Sequence, residues 1–225
     1  DKNHQRAIWA LKSISEIKKI INKNIGIVGG GIFGSTIAIE LANQGYNVTL
    51  FERQKDVLGE ASSINQYRVH AGYHYPRSSQ TAQDCKMSLS SFKKTYKQAI
   101  VSKKAGIKHY YAIASNASMT SPEEYISFMD TIGLQYKKIK PIHGTDIMVE
   151  VKESIFDPAK LISIVKTRLN GAGVELRLGK AATEDDLKEF DFTIIATYAN
   201  INDWCNEKRE YQYEICEKPV LKLPD

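Results

Sequence analysis

The chain has 225 residues, 42% of them hydrophobic, and a net charge of +5, which is enough to bury one good core or two small ones. Its longest nearly uncharged apolar stretch, Ile25 to Ala38, is broken by Gly29, Gly30, Gly31 and Gly34 and falls short of a bilayer span, so no transmembrane helix or membrane partner is expected. Six basic residues against two acidic ones in residues 1–24 account for +4 of that charge, and the run Lys93, Lys94, Lys97, Lys103, Lys104, Lys108 holds no Arg and a single aromatic, Tyr96, so it reads as a solvated face and argues against a nucleic-acid partner.

In chain order, Ile8, Leu11, Ile14, Ile17 and Ile21 recur at three- and four-residue steps, which predicts an amphipathic helix within an N-terminal segment of residues 1–22. Asn24 to Val28 reads as a short buried strand, Gly29 to Gly34 as a turn, Ser35 to Asn43 as a helix stopped by Gly45, and Tyr46 to Glu52 as a second strand. Together they make a complete βαβ unit. A polar segment, Arg53 to Pro76, precedes a helix over Ser79 to Ala99, a strand over Ile107 to Ile113 and a helix opened by Ser121-Pro122-Glu123-Glu124. Ile147 to Val151 is a strand, Asp157-Pro158 starts a helix running to about Asn170, and residues 173–178 and 191–197 are strands. Cys85, Cys205 and Cys216 show no C-x-x-C spacing, which suits a reducing compartment and predicts a cytoplasmic protein.

Gly29-x-Gly31-x-x-Gly34 follows a hydrophobic strand and opens a helix, the context in which this pattern binds a dinucleotide. Gly29 permits the tight turn, Gly31 lets the backbone approach a pyrophosphate, and Gly34 lets helix and strand pack closely. The helix N-terminus then presents free N–H groups at Ile32 and Phe33 to the phosphates. Glu52 ends the second strand 21 residues after Gly31, where an acid accepts hydrogen bonds from an adenosine ribose. Its neighbour Arg53 is able to reverse that preference toward a 2′-phosphate. The turn does not itself separate NAD from FAD, since both carry the same adenosine and pyrophosphate.

Several pieces resemble the D-amino-acid oxidase/glycine oxidase superfamily of FAD-dependent oxidoreductases, which includes L-2-hydroxyglutarate oxidases and glycerol-3-phosphate dehydrogenases. They are Ile27 to Gly34, Val48 to Arg53, Ala61-Ser62-Ser63-Ile64-Asn65 and His70-Ala71-Gly72, with further similarity at Val174-Glu175 and Asp191 to Thr197. The resemblance runs from about Asn24 to the end of the chain. It implies an α/β fold in which a Rossmann-like FAD-binding domain with a parallel sheet carries a smaller α+β substrate domain with an antiparallel or mixed sheet. The implied division is 23–104 and 153–200 for FAD binding, and 105–152 and 201–225 for the substrate domain. It further implies that Ser62, Ser63 and Asn65 line the pyrophosphate and flavin, that His70 to Gly72 approach the isoalloxazine, that the Val174 backbone meets adenine, and that Ala196 and Thr197 close over the nucleotide. In the family, a final segment supplies a last strand, a helix N-terminus and substrate-binding residues. The chain ends at Leu223-Pro224-Asp225, where that portion is expected to begin, so activity of this chain alone is an open expectation.

Gln66 to Arg77 concentrates groups able to bind an anion or move a proton. If extended, Arg68, His70 and His74 share one face, and Arg68 or Arg77 is placed to clamp a carboxylate. These four are the catalytic candidates. The spacing of His70 and His74 suits a metal pair only on a helix, which Gly72 and Pro76 oppose, so no metal site is expected. In some relatives a histidine bonds flavin covalently, which would fall at His70. The expected activity is FAD-dependent oxidation of a small amine, amino acid or 2-hydroxy acid by hydride transfer to flavin N5. The alternatives are a non-catalytic nucleotide-binding or interaction module and an NAD-dependent dehydrogenase.

Overall fold

The computed structural model describes residues 23–101 and 106–211. The helix expected within residues 8–21 lies outside them, as do Lys103, Lys104 and Cys216. In chain order the elements are β1 (Asn24–Val28), α1 (Ile32–Asn43), β2 (Asn47–Glu52), β3 (Arg68–Val69), α2 (Ser79–Thr95), β4 (His109–Ala114), α3 (Pro122–Ile132), β5 (Tyr136–Ile139), β6 (Thr145–Val151), β7 (Ser154–Ile155), α4 (Pro158–Gly171), β8 (Glu175–Leu178), α5 (Glu184–Leu187) and β9 (Phe192–Ile195), with 3₁₀ turns at Lys97–Ala99 and Tyr198–Trp204. Among the described residues, no helix is long and apolar enough to cross a membrane.

The chain divides into two compact units, one formed by residues up to Asn65 together with those from Ile162 onward, the other by Gln66–Leu161. In the first, four parallel strands lie in the order β8-β2-β1-β9. The central strands β1 and β2 are buried on both faces, which is why they read as unbroken apolar runs rather than alternating ones. Helix α1 starts at Ile32, three residues before the start predicted from the sequence, because Gly31 serves as its N-cap and the Ser35 N–H already bonds the Gly31 carbonyl at 2.9 Å. The glycine turn is correspondingly short, and Gly34 lies inside the helix.

In the second unit, β4-β6-β5 form an antiparallel sheet and β3 pairs with β7. Its core gathers Tyr73, Tyr125, Phe128, Met129, Val149 and Val151. Helix α3 begins as its sequence requires: the Ser121 hydroxyl accepts from Glu124 N, Glu124 accepts from Ser121 N at 2.7 Å, Pro122 occupies the first turn, and Gly133 ends the helix at φ +68°. The helix predicted to reach Ala99 stops at Thr95, because Tyr96 leaves helical geometry and turns into the interior. Strands β5 and β7 and helix α5 escape the sequence reading. Strand β5 is Tyr-Lys-Lys-Ile, which has no period-2 apolar pattern, and α5 is a single turn capped by Thr183 and Asp186. The unit boundaries fall at 65/66 and 161/162 rather than at 104/105 and 152/153, since α2 packs on α3.

Candidate functional site

Strand β1 has β2 on one side and β9 on the other, so the turn that follows it leaves the sheet at a switch point of the strand order, at the carboxyl ends of the strands. Gly29 takes φ +107° and stands so close to the end of β9 that a Cβ on it would lie 2.5 Å from the Ala196 carbonyl oxygen. A Cβ on Gly34 would lie 1.9 Å from the Gly29 carbonyl oxygen, so only glycine allows helix and turn to cross there. At Gly31 a Cβ would meet nothing nearer than the Ser62 hydroxyl at 3.5 Å. That side of the turn is open, as the approach of a phosphate requires.

Glu52 ties the turn to β2. One carboxylate oxygen accepts from Gly30 N at 2.7 Å and the other from Gln54 N at 2.8 Å. Arg53, which could have recruited a 2′-phosphate, is instead held by Glu60 through Nε at 3.1 Å and Nη2 at 2.6 and 2.8 Å. Hydrogen bonds from the Gln54 amide and from Arg53 keep the Glu60 carboxyl below its ordinary pKa. Ser62 accepts from Ile32 N at 3.0 Å, directly on the first turn of α1. Ser63 and Asn65 do a different job: the Ser63 hydroxyl donates to the Glu60 carbonyl, and the Asn65 amide donates to the carbonyls of Ala61 and Ser62, bracing the loop that carries Ser62. Phe33 is exposed beside the open face, and the Thr197 hydroxyl is buried with no partner among the described residues.

Val174 immediately precedes Glu175, the first residue of β8. It sits at the amino end of β8, and the register pairs Glu175 with Thr49 and Leu178 with Glu52. Val174 therefore lies four strand residues, roughly 13 Å, from the level of Glu52. The backbone at the carboxyl end of β8 lies there instead, with Gly179 N donating to Gln54 O and Lys180 N to Glu52 O.

Replacing Glu52 by Gln leaves one acceptor where two backbone N–H groups need one each. The expected result is a ten- to hundredfold weaker FAD affinity, consistent with about 1–3 kcal/mol for an unsatisfied donor, measured by titrating apoprotein with FAD and following flavin fluorescence.

The Gln66–Leu161 unit contains the second group of candidates. The extended face expected for Arg68, His70 and His74 does not form, because β3 ends at Val69 and Gly72, at φ +108°, turns the chain so that Tyr75 N bonds the Gly72 carbonyl. Arg68 is not a free clamp: its Nη2 lies 2.5 Å from Glu153 and its guanidinium stacks on the Tyr111 ring at 4.4 Å. Its Nε–H is buried without an acceptor among the described residues, and Nη2 meets Glu153 as an ion pair without an aligned hydrogen bond. The turn groups His70 with His74 at 5.7 Å between ring centroids, with Tyr75 against both. Arg77 is exposed and contacts the Met119 sulfur. The sequence reading missed Glu153, whose side chain is 0% exposed and accepts from Ala71 N at 2.8 Å and from the Tyr111 hydroxyl at 3.2 Å. Burial raises the pKa of the Tyr111 hydroxyl, and the nearby Glu153 raises it further.

The family described as FAD dependent oxidoreductase matches residues 24–194. Over 195 residues, covering 80% of this chain, the sequence is 30% identical to the FAD-dependent monooxygenase FPY4 of Fusarium mangiferae, of which the match spans 51%. Among solved structures, L-alpha-glycerophosphate oxidase from Mycoplasma pneumoniae, determined with FAD bound, superposes with a TM-score of 0.59 at 15% identity, covering 80% of this chain and 56% of that one. Glycine oxidase from Bacillus cereus superposes with a TM-score of 0.54 at 15% identity, covering 70% of this chain and 46% of that one. The chain thus spans about half the length of the curated relative and of these solved chains. The family match covers most of the sequence and contains the whole βαβ turn, and the chain belongs to the FAD-dependent oxidoreductases, with FAD as its cofactor.

Proposed function

We propose that the protein oxidises a small amine, amino acid or 2-hydroxy acid, with the substrate's Cα–H leaving as hydride. FAD, when bound, supplies the two-electron acceptor for that step. The observation that carries the reading is the Gly29–Gly34 turn, open on its Gly31 side, with Glu52 fixed at the end of β2. The residues present fit the cofactor: an open cradle, a helix N-terminus and an acidic acceptor where the adenosine ribose belongs. The N–H groups of Ile32 and Phe33 and the Ser62 hydroxyl, which accepts from Ile32 N, would hold the pyrophosphate. Glu52 accepts from the ribose hydroxyls, and the pairing of Arg53 with Glu60 disfavours a 2′-phosphate. The Lys180 backbone takes an adenine-side place beside Glu52, and the Thr197 hydroxyl, without a partner among the described residues, donates to the nucleotide. His70 and His74 serve the substrate side, and Arg77, with no carboxylate partner among the described residues, holds the substrate's carboxylate.

A second reading rests on a specific observation. The curated relatives from Fusarium mangiferae and Aspergillus flavus are both named FAD-dependent monooxygenases. In an oxidase both atoms of O₂ leave as hydrogen peroxide, whereas a monooxygenase places one in the product and one in water.

The test is an absorbance spectrum of the full-length protein from 300 to 550 nm, followed by anaerobic addition of glycine, D-alanine, L-proline and L-lactate. A flavin band that bleaches with one of them supports oxidation of this substrate class. A colourless protein that FAD cannot reconstitute overturns the reading, and a flavin that none of them bleaches overturns the substrate class. Labelling with ¹⁸O₂ separates oxidase from monooxygenase.

A further inference from the structure

The buried ion pair of the second unit is used by none of the steps above. The β3–β7 register pairs Arg68 with Ile155 and Val69 with Ser154. Continued by one residue, it sets Glu153 opposite His70 and beside the Ala71 amide. The Glu153 carboxylate is fully buried and makes three contacts: one to Ala71 N, one to Arg68 and one to the Tyr111 hydroxyl. Arg68, 15% exposed, is the cationic partner and lies against the Tyr111 ring.

A buried ion pair is a poor source of stability, because desolvating two charges offsets most of their attraction. Its geometry here has another consequence. Ala71 lies between His70 and Gly72, and Gly72 is itself pressed so closely on α2 that a Cβ would lie 2.8 Å from the Ala82 carbonyl oxygen. With Tyr75 N bonded to Gly72 O, the backbone from 71 to 75 is held at Ala71, Gly72 and Tyr75. The side chains left to project from that turn are His70, His74 and Tyr75, whose rings cluster at 5.4–6.2 Å. The buried charge thus holds the peptide that carries the imidazoles.

We propose that Glu153 is a positioning residue: it clamps the Ala71 amide, with Arg68 as counter-ion and Tyr111 as second donor, and so fixes the His70–His74 turn for the substrate. This rests on the functional reading above only in assigning those histidines to the substrate side.

Three forms of the full-length protein test it: wild type, Arg68→Met/Glu153→Leu and Arg68→Met/Glu153→Gln. Neither double variant leaves a lone buried charge, and in the Glu153→Gln form the side-chain carbonyl still accepts from Ala71 N. Hydrogen exchange at Ala71 is expected to be slow in wild type, at least tenfold faster in the Glu153→Leu form, and slow again in the Glu153→Gln form. FAD content is expected to stay within twofold throughout. With whichever of the four substrates bleaches the wild type, the limiting bleaching rate should fall about a hundredfold in the Glu153→Leu form, the size of effect that small misplacements of reacting groups produce. The half-saturating concentration should move less than threefold, and the Glu153→Gln form should recover at least tenfold of the lost rate. An Ala71 amide that exchanges freely in wild type overturns the clamp, and this measurement decides alone if the Glu153→Leu form does not fold. A Glu153→Leu form that bleaches at the wild-type rate overturns the positioning role. A colourless wild type overturns the functional reading instead, while the exchange of Ala71 still tests the clamp.

Discussion

Gly34→Ala in the full-length protein is expected to abolish FAD retention and to lower folding stability by about 3 kcal/mol, the upper range for forcing atoms into a packed interior. The added methyl would stand 1.9 Å from the Gly29 carbonyl oxygen, 3.1 Å from the Gly29 carbonyl carbon and 3.3 Å from the Ala196 Cβ. The nearest of these is backbone, and the Gly29 amide is already held by Phe51 O at 2.9 Å. No side chain can swing away, so either α1 lifts from β1 or the phosphate turn opens. Gly31→Ala is the control. Its N-cap backbone, at φ −67° and ψ −179°, suits any residue, and the new Cβ meets only Ser62 Oγ at 3.5 Å. That variant should fold within about 1 kcal/mol of wild type and still lose FAD affinity, because its methyl occupies the face the pyrophosphate needs. Chemical denaturation of the apoproteins and FAD titration separate the two effects. Equal stability of the Gly34→Ala and Gly31→Ala forms would remove the close-crossing argument, and unchanged FAD affinity in the Gly31→Ala form would remove the open-cradle argument.

The difference between these glycines was legible in the sequence because each answers a local backbone demand within one βαβ unit. The same holds for Glu52 at the end of β2 and for the Ser121-x-x-Glu124 cap. What stayed hidden depends on residues far apart in the chain. Arg68 reads as a spare cation until Glu153 is brought beside it, and the Ala71 amide meets that carboxylate across 82 positions. No hydrophobic period announces a buried acid between the apolar runs of β6 and β7, although Val151-Lys152-Glu153-Ser154-Ile155 does place a carboxylate between two strands. The position of Val174 along β2 was hidden for a related reason. Periodicity locates β8 but not which of its ends stands beside Glu52, and that requires the parallel register with β2. Arg53 was the opposite case, with its partner Glu60 only seven residues away, but in a loop whose fold no periodicity describes.

The stability of the Gln66–Leu161 unit is expected to collapse above pH 10, with Tyr111 and Tyr125 alone lowering it by about 3 kcal/mol per pH unit. Burial raises the hydroxyl pKa of Tyr73, Tyr111 and Tyr125 above the ordinary value, and the Glu153 carboxylate pushes each in the same direction. Each hydroxyl is a donor in the folded state: Tyr73 to Gln135 O, Tyr125 to Tyr73 O and Tyr111 to Glu153. A phenolate can make none of these bonds. Below about pH 9 both folded and unfolded chains keep the three protons, and these groups add no pH dependence. Above pH 10 the unfolded chain releases them while the folded chain retains those of Tyr111 and Tyr125, so unfolding gains about 1.4 kcal/mol per pH unit for each of these two. Guanidinium unfolding from pH 8 to 11, with tyrosinate absorbance at 295 nm recorded alongside, should show the last tyrosines ionising only as the unit unfolds. Tyr111→Phe isolates one contribution. It loses the bond to Glu153, a cost of about 1 kcal/mol at neutral pH, yet its stability should decline less steeply above pH 10, by about 1.4 kcal/mol per pH unit. If wild type and Tyr111→Phe lose stability in parallel between pH 9.5 and 11, the Tyr111 hydroxyl is not held protonated, and the buried carboxylate beside it does not act on it as the geometry requires.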